Sequence, residues 1–220
     1  MVFLTLLFIT SHLQQRSPRF LRRFRKMAKQ SAWTDEDVRE AQIPDPEWPI
    51  CWYHRGTRLG TGGYARVYKV LNVRTGGVFA GKTSPRHVKH LRREARILRN
   101  LDHPKIVKYV EYFEERERPA ANVLVMELCA GGSLQTTLND YSRGLTRKAT
   151  LEVLYQVAQA VEYLHGKNRF HGDLKPRNIL IRSWDPIDVV VADCAEVMRV
   201  DHINAHKKPH GTHAYWSPYI

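Results

Sequence analysis

The chain has 220 residues, 43% hydrophobic and 26% charged, enough for one domain or one and a half with a buried core; a short peptide or a fully disordered chain is excluded. Lys and Arg total 35 against 22 Asp and Glu, so the formal charge is +13, which favours acidic partners such as phosphates, nucleic acid or anionic lipid without choosing among them. Residues 1–30 contain no acid and supply +7 of that total, so the body of the chain is ordinarily charged.

The first ten residues, MVFLTLLFIT, are the one lipid-like run and fall short of the roughly 20 apolar residues that span a bilayer. No membrane span is expected. The basic residues follow the apolar run rather than precede it, which is wrong for a secretory signal. Residues 1–26 read as an upstream extension, because Met27 opens a polar stretch like an ordinary start; their Arg-rich, acid-free character leaves mitochondrial targeting as the alternative. Cys51, Cys129 and Cys194 are odd in number, far apart and without a CxxC pair, as in a reducing compartment, so the expected location is intracellular and cytoplasmic. Nucleic-acid binding through the basic N terminus rests on charge alone.

Residues 1–50 are expected to be a basic, mostly disordered extension and linker that ends in the proline-rich run Ile43 to Trp48. The folded domain is placed from Cys51. Ala65, Val67, Lys69 and Leu71 share one strand face, Arg74 to Gly77 makes a turn, and Val78 to Lys82 returns, so an antiparallel hairpin is predicted. Before it lies the bend Gly60-Thr61-Gly62-Gly63-Tyr64-Ala65, whose small residues let backbone amides face phosphate oxygens, although a plain flexible turn fits the same residues. Lys89 to Leu101 has helical period, with Leu91, Ala95 and Leu98 on one stripe. Glu94 falls on that stripe. It either points inward, where it needs a cation such as Lys82 on the Ala80 face, or sits at the stripe edge in solvent.

Strands are expected at Lys108 to Phe113 and Asn122 to Met126. Beyond them Glu127 to Ala130 connects to a helical half: Ser133 caps a short helix through Tyr141, and Thr146 caps a longer one whose core stripe is Val153, Val157, Ala160, Val161 and Leu164. The densest chemistry is His171-Gly172-Asp173-Leu174-Lys175-Pro176-Arg177-Asn178, followed by two apolar runs and Asp193. If Ile179 to Arg182 and Val189 to Ala192 pair as a hairpin, Asn178 and Asp193 end side by side. Two oxygen ligands at one point suit Mg²⁺. Asp173 is placed to accept a proton from an attacking hydroxyl, and Lys175 to neutralise charge on the group being transferred.

These motifs, in this order, resemble the eukaryotic protein kinase family from about Tyr53 to the end of the chain. The resemblance implies an α+β, two-lobe fold: an N-lobe over 51–126, with an antiparallel sheet and one main helix, and a partial helical C-lobe over 127–220 that ends in the activation segment. It implies that Leu59, Gly60, Thr61, Gly62, Gly63, Tyr64, Ala65, Arg66 and Val67 cover ATP. Lys82 would bind the α and β phosphates with Glu94 as its partner, and Ala80, Val67 and Leu180 would sandwich adenine. Met126 is similar to the gatekeeper, and the Glu127 and Cys129 backbone to the hinge. Asp173 would be the catalytic base, with Asn178 and Asp193 as Mg²⁺ ligands. The Asp-Leu-Lys-Pro run is similar to Ser/Thr rather than Tyr kinases, so the implied acceptor is a protein Ser or Thr hydroxyl.

Several positions depart from the family pattern. Ala65 replaces the third loop glycine. Gly172 replaces the arginine that would hold a phosphorylated activation loop, and Cys194 to Ala214 contains a single hydroxyl, Thr212, so loop phosphorylation is not the expected switch. Cys194-Ala195 replace Phe-Gly, which removes packing volume between Leu98 and His171. Tyr219 replaces a glutamate at the end of Trp216-Ser217-Pro218-Tyr219. The expectation is a truncated domain with part of the Val153 to Leu164 stripe uncovered. His202, His206, His210 and His213 have near-helical spacing, but Pro209 and Gly211 break such a helix, and a solvated loop is expected there. The alternative function is a catalytically impaired, nucleotide-binding or scaffold module.

Overall fold

A computed structural model describes residues 33–40, 52–63, 65–114, 122–140, 144–199 and 212. Expectations for Cys51, Tyr64, Tyr141, the four histidines from 202 to 213, the Trp216 to Tyr219 motif and most of the first 50 residues lie outside them. The described residues form two compact units, one drawn from Met1–Val88 and Glu111–Met126, the other from Lys89–Val110 and Glu127–Ile220.

The first unit is built on a sheet of five strands in the order β1-β2-β3-β5-β4, comprising β1 (Tyr53–Thr61), β2 (Arg66–Asn72), β3 (Val78–Thr83), β4 (Tyr109–Phe113) and β5 (Val123–Glu127). β2 and β3 pair antiparallel without a register break, from Arg66↔Thr83 to Leu71↔Val78, as the alternation of residues 65–82 predicts. Val70, Leu71, Val123, Leu124 and Val125 are buried, and the Tyr53 ring meets Phe79 and Phe113 edge-on at 5.9 and 5.5 Å.

One element here corrects the sequence reading. Within the stretch expected to be a disordered linker, Asp35–Glu40 forms helix α1. Thr34 and Asp37 stand three apart and satisfy each other: the Asp37 N–H donates to Thr34 Oγ1 at 3.2 Å, and the Thr34 N–H donates to Asp37 Oδ2 at 2.9 Å. Trp33 and the Asp37 side chain are buried, so α1 is docked rather than solvated.

In the second unit α2 (Val88–Arg99) buries Leu91, Ala95, Leu98 and Glu94. The sequence division put this helix with the N-lobe; from Lys89 on, it groups with the second unit, where Arg93 Nη2 donates to the Val197 carbonyl at 3.1 Å. Ser133 and Thr146 cap α3 (Leu134–Asp140) and α4 (Arg147–Gly166) through bonds from the Thr136 and Ala149 amides. β7 (Ile179–Trp184) and β8 (Ile187–Val191) form an antiparallel hairpin with Ile179 opposite Val191, and the short β6 (Arg169–Phe170) pairs with β9 (Met198–Arg199).

Helix α4 packs on β8; of the predicted stripe Val153, Val157, Ala160 and Leu164 are buried and Val161 is half-buried, so most of the stripe that was expected to be partly uncovered has cover. Gln156 joins the two elements: its Nε2 donates to the Ile187 carbonyl at 2.8 Å, and its Oε1 accepts the Val189 N–H at 2.9 Å. The exposed apolar side chains of α4 are instead Leu151, Leu154 and Tyr155.

Candidate functional site

The polar run at residues 171–178 leaves β6 and turns through Pro176–Asn178 into β7. Its centre is the Asp173 carboxylate. Oδ2 accepts Lys175 Nζ at 2.6 Å, and Oδ1 accepts both the amide and the hydroxyl of Thr212, at 3.0 and 2.8 Å. Lys175 Nζ also donates to Thr212 Oγ1 at 2.7 Å, which closes a ring of three side chains. Asn178 Nδ2 adds bonds to the Asp173 carbonyl at 2.8 Å and to Oδ2 at 3.3 Å. Burial pushes the Asp173 carboxyl up, but the bonds from Lys175, Thr212 and Asn178 outweigh it and hold the group below its ordinary range. Asp173 is therefore ionised at neutral pH and fixed in direction.

His171 ties this loop to the end of β8. It is 5% exposed, and burial lowers its pKa from the ordinary histidine value against the pull of the Ala192 carbonyl, Asp193 and Asp173. The ring is thus neutral near pH 7. Its Nε2 lies 3.0 Å from the Ala192 carbonyl, and its Nδ1 lies 3.3 Å from the Asp173 amide. A neutral ring serves both when Nε2–H donates and Nδ1 accepts. The Ala192 amide donates in turn to the Asn178 carbonyl at 2.8 Å. The β7–β8 hairpin therefore brings the chain at Asn178 beside the chain entering Asp193.

Asp193 has φ 62 and ψ 63, left-handed values that a non-glycine residue adopts at a cost. Because Asn178 directs its amide nitrogen at Asp173, its oxygen is the end left to meet a cation. The Asp193 carboxylate and the Asn178 amide oxygen are hard donors, a set that fits Mg²⁺, which takes few protein oxygens. Among the described residues no group of three His, Cys, Asp or Glu is arranged to hold a metal. Cys194, next in sequence, is buried with 1% exposure and opens the turn Cys194–Glu196.

In the first unit Val67 is registered opposite Lys82, and Lys69 opposite Ala80, so the four residues share one face of the sheet. The glycine bend is a tight connection in which Thr61 pairs with Arg66 and the Gly62 amide donates to the Ala65 carbonyl at 2.8 Å. The sequence reading aimed the bend's amides at phosphate; in this structure the Gly62 amide is turned into the bend. A Cβ at Gly60 or Gly63 would meet nothing within 4 Å, and Leu59 is half exposed. Ala80 and Met126 are buried.

The connector holds the remaining expected residues. Glu127 uses its side chain internally: Arg182 donates to it from Nε at 2.8 Å and Nη2 at 2.7 Å, and the Lys108 amide donates to Oε1 at 2.6 Å. Arg182 also reaches Asp188, which Lys105 pairs at 2.7 Å. Burial, reinforced by Glu127, pushes the Cys129 thiol up to about 12. Leu180 bridges to Ser133, which places the start of α3 beside β7.

The structure thus brings Asp173, Lys175 and Asn178 together, lines up Val67, Ala80 and Lys82 on one face, and buries Glu94. Sequence reasoning noted Thr212 and His171 without giving either a place at Asp173, and it missed Asp37. The Thr34-x-x-Asp37 spacing signals a helix start, but nothing local signals the distant partners of Asp37.

The family described as protein kinase domain matches residues 53–220. Curated relatives include the smooth-muscle myosin light chain kinase of Gallus gallus, 31% identical over 172 residues, which covers 76% of this chain and 9% of that protein. Calcium-dependent protein kinase 5 of Plasmodium berghei is 33% identical over 168 residues, 74% of this chain and 29% of that one. Serine/threonine-protein kinase polo of Drosophila melanogaster is 33% identical over 177 residues, 76% and 30% respectively. The chain thus spans less than a third of the length of each of these relatives.

Proposed function

We propose, for a chain that belongs to the protein kinase family, an ATP- and Mg²⁺-dependent transfer of the γ-phosphoryl group to a Ser or Thr hydroxyl of a protein. The acceptor oxygen bonds to the γ-phosphorus, the bond from that phosphorus to the β–γ bridging oxygen breaks, and ADP leaves. Asp173 accepts the hydroxyl proton and Lys175 offsets charge on the moving group. Asn178 and Asp193 are the residues assigned to Mg²⁺, which when bound screens the charge of the triphosphate. The glycine bend from Leu59 to Val67, Ala80, Met126, the connector at Glu127 and Cys129, and Leu180 are assigned to the nucleotide. Lys82 and Glu94 keep the phosphate-binding and ion-pairing roles that the resemblance implies.

The observation that carries this reading is the set of bonds from Lys175, Thr212 and Asn178 that converge on the Asp173 carboxylate. It holds an ionised carboxylate in one orientation, as a proton acceptor requires. The left-handed Asp193 backbone supports it further, since strain of this kind collects at sites where a side chain must be aimed.

The Ser/Thr preference rests on the Asp-Leu-Lys-Pro run and on the names of the relatives. The buried, unbridged Cys129 and Cys194 support a reducing, intracellular location. No helix among the described residues is long and apolar enough to cross a membrane. A second reading, a kinase-like module that binds nucleotide without transfer, draws on the Gly62 amide turned into its own bend and on Cys194 in place of a bulky ring.

The test is label transfer from γ-labelled ATP with Mg²⁺ to a generic basic protein, beside Asp173→Asn. Transfer lost in the variant supports the kinase. Nucleotide binding without transfer in either protein favours the second reading.

A further inference from the structure

Strand β1 is interrupted where it should pair with Lys69: Arg55 faces Val70 and Arg58 faces Tyr68, so Gly56 and Thr57 together oppose the single residue Lys69. This is a β-bulge, and it diverts the strand's own hydrogen bonding three residues before the glycine bend. The Asp37 carboxylate of α1 fills the gap. Its Oδ1 accepts the Thr57 amide at 3.0 Å and the Thr57 hydroxyl at 2.6 Å, and its Oδ2 accepts Lys69 Nζ at 2.8 Å. The Asp37 side chain has no exposure to solvent. The approach is so close that a Cβ at Gly56 would lie 2.8 Å from Asp37 Oδ1.

The placement gives this contact a functional meaning. Lys69 shares its sheet face with Val67, Ala80 and Lys82, the residues assigned above to the nucleotide. One carboxylate therefore clamps both strands that carry the glycine bend, on the side of the sheet that would meet ATP. We infer that Asp37 is a positioning residue for nucleotide binding: α1 docks on the β1–β2 hairpin so that Asp37 closes the Gly56–Thr57 bulge and sets the angle at which the bend from Gly60 to Ala65 leaves the sheet. The inference rests on the nucleotide reading for its consequence, and on the bulge contacts alone for its mechanism.

The experiment uses the full chain with Asp37→Asn, which keeps size and removes charge. Thr57→Val and Lys69→Met serve as milder variants should Asp37→Asn fold poorly. Backbone amide hydrogen exchange without nucleotide is followed over 57–67, with 151–164 of α4 as the internal control, and affinity is measured with a non-hydrolysable ATP analogue and Mg²⁺. In Asp37→Asn, exchange over 57–67 rises about tenfold while the α4 control is unchanged, and the analogue binds about five- to tenfold more weakly. Thr57→Val shifts both readouts in the same direction by less. Wild-type exchange over 57–67, or wild-type affinity in a variant that has merely lost thermal stability, overturns the inference. If the parent chain binds no analogue, the nucleotide reading fails on its own, and the exchange comparison still decides whether Asp37 holds the bend.

Discussion

Gly172 lies directly beneath the backbone oxygen of Glu196: with φ at +79, a Cβ at residue 172 would stand 2.7 Å from that oxygen. The position where the family pattern implied an arginine is therefore closed to any side chain by the turn that follows Asp193. Gly172→Ala is expected to cost about 1–3 kcal/mol in chemical denaturation, through left-handed backbone strain and the contact with a backbone atom that cannot swing aside. Gly172→Arg should cost at least as much and leave activity no higher. A gain of activity in Gly172→Arg would mean that the turn at Cys194–Glu196 is looser than its packing implies.

Thr212 has the one hydroxyl between Cys194 and Ala214, and that hydroxyl is committed to Asp173 and Lys175. Thr212→Val removes two bonds of the ring and keeps the amide bond to Asp173 Oδ1. The predicted result is a roughly tenfold lower kcat with KM for ATP changed less than threefold, because a charge-assisted bond that orients the proposed base is lost while the residues assigned to the nucleotide are untouched. Phosphate mapped to Thr212 in active protein would contradict the assignment.

Acid destabilises the fold in two stages. Burial lowers His54 to about 4 and also lowers His171, so both stay neutral in the fold at pH values where the unfolded imidazoles protonate. The stability His54 contributes is complete above about pH 6.5 and is lost as pH falls towards 4, by roughly 3 kcal/mol, and His171 acts in the same direction. Below that, Asp37 and Asp173 enter: burial raises each, but Lys69 and Lys175 with their neighbouring donors lower them further, so their contribution is present above the unfolded carboxyl range and disappears beneath it. Denaturant titrations from pH 7.5 to about 2 check both stages, and His54→Gln should flatten the upper one.

Cys129 should resist alkylation. Its thiol, raised to about 12, is almost wholly protonated at pH 8, and the thiolate is the nucleophile. Iodoacetamide at pH 8 is expected to label it at least tenfold more slowly in native than in urea-unfolded chain, as read by mass spectrometry of the peptide.

Much of this architecture is legible in the amino-acid order because it is locally encoded. Alternation from Ala65 to Leu71 and the turn at Arg74–Gly77 define the β2–β3 hairpin, Ser133 and Thr146 mark two helix starts, and the paired apolar runs after Asn178 give the β7–β8 hairpin. Boundaries move by a residue or two: a strand expected from Lys108 begins at Tyr109, and one expected from Asn122 begins at Val123. Glu94, which periodicity left between the interior and solvent, is 1% exposed.

What could not be read depends on partners far along the chain. Asp37 reaches Thr57 and Lys69, which are 20 and 32 residues away. Arg182 finds Glu127 across 55 residues, and Thr212 finds Asp173 across 39. The cover on the α4 stripe comes from β8, an element the sequence placed correctly without indicating which face it would shield.

The central claim is that Asp173 takes the proton in phosphoryl transfer rather than holding the nucleotide. Single-turnover transfer and Mg²⁺-ATP affinity measured together, in the parent chain and in Asp173→Asn, separate the two roles. The account predicts affinity within about threefold and a transfer rate lower by about 10²–10⁴. Undiminished transfer in the variant, or loss of binding in step with rate, would contradict it.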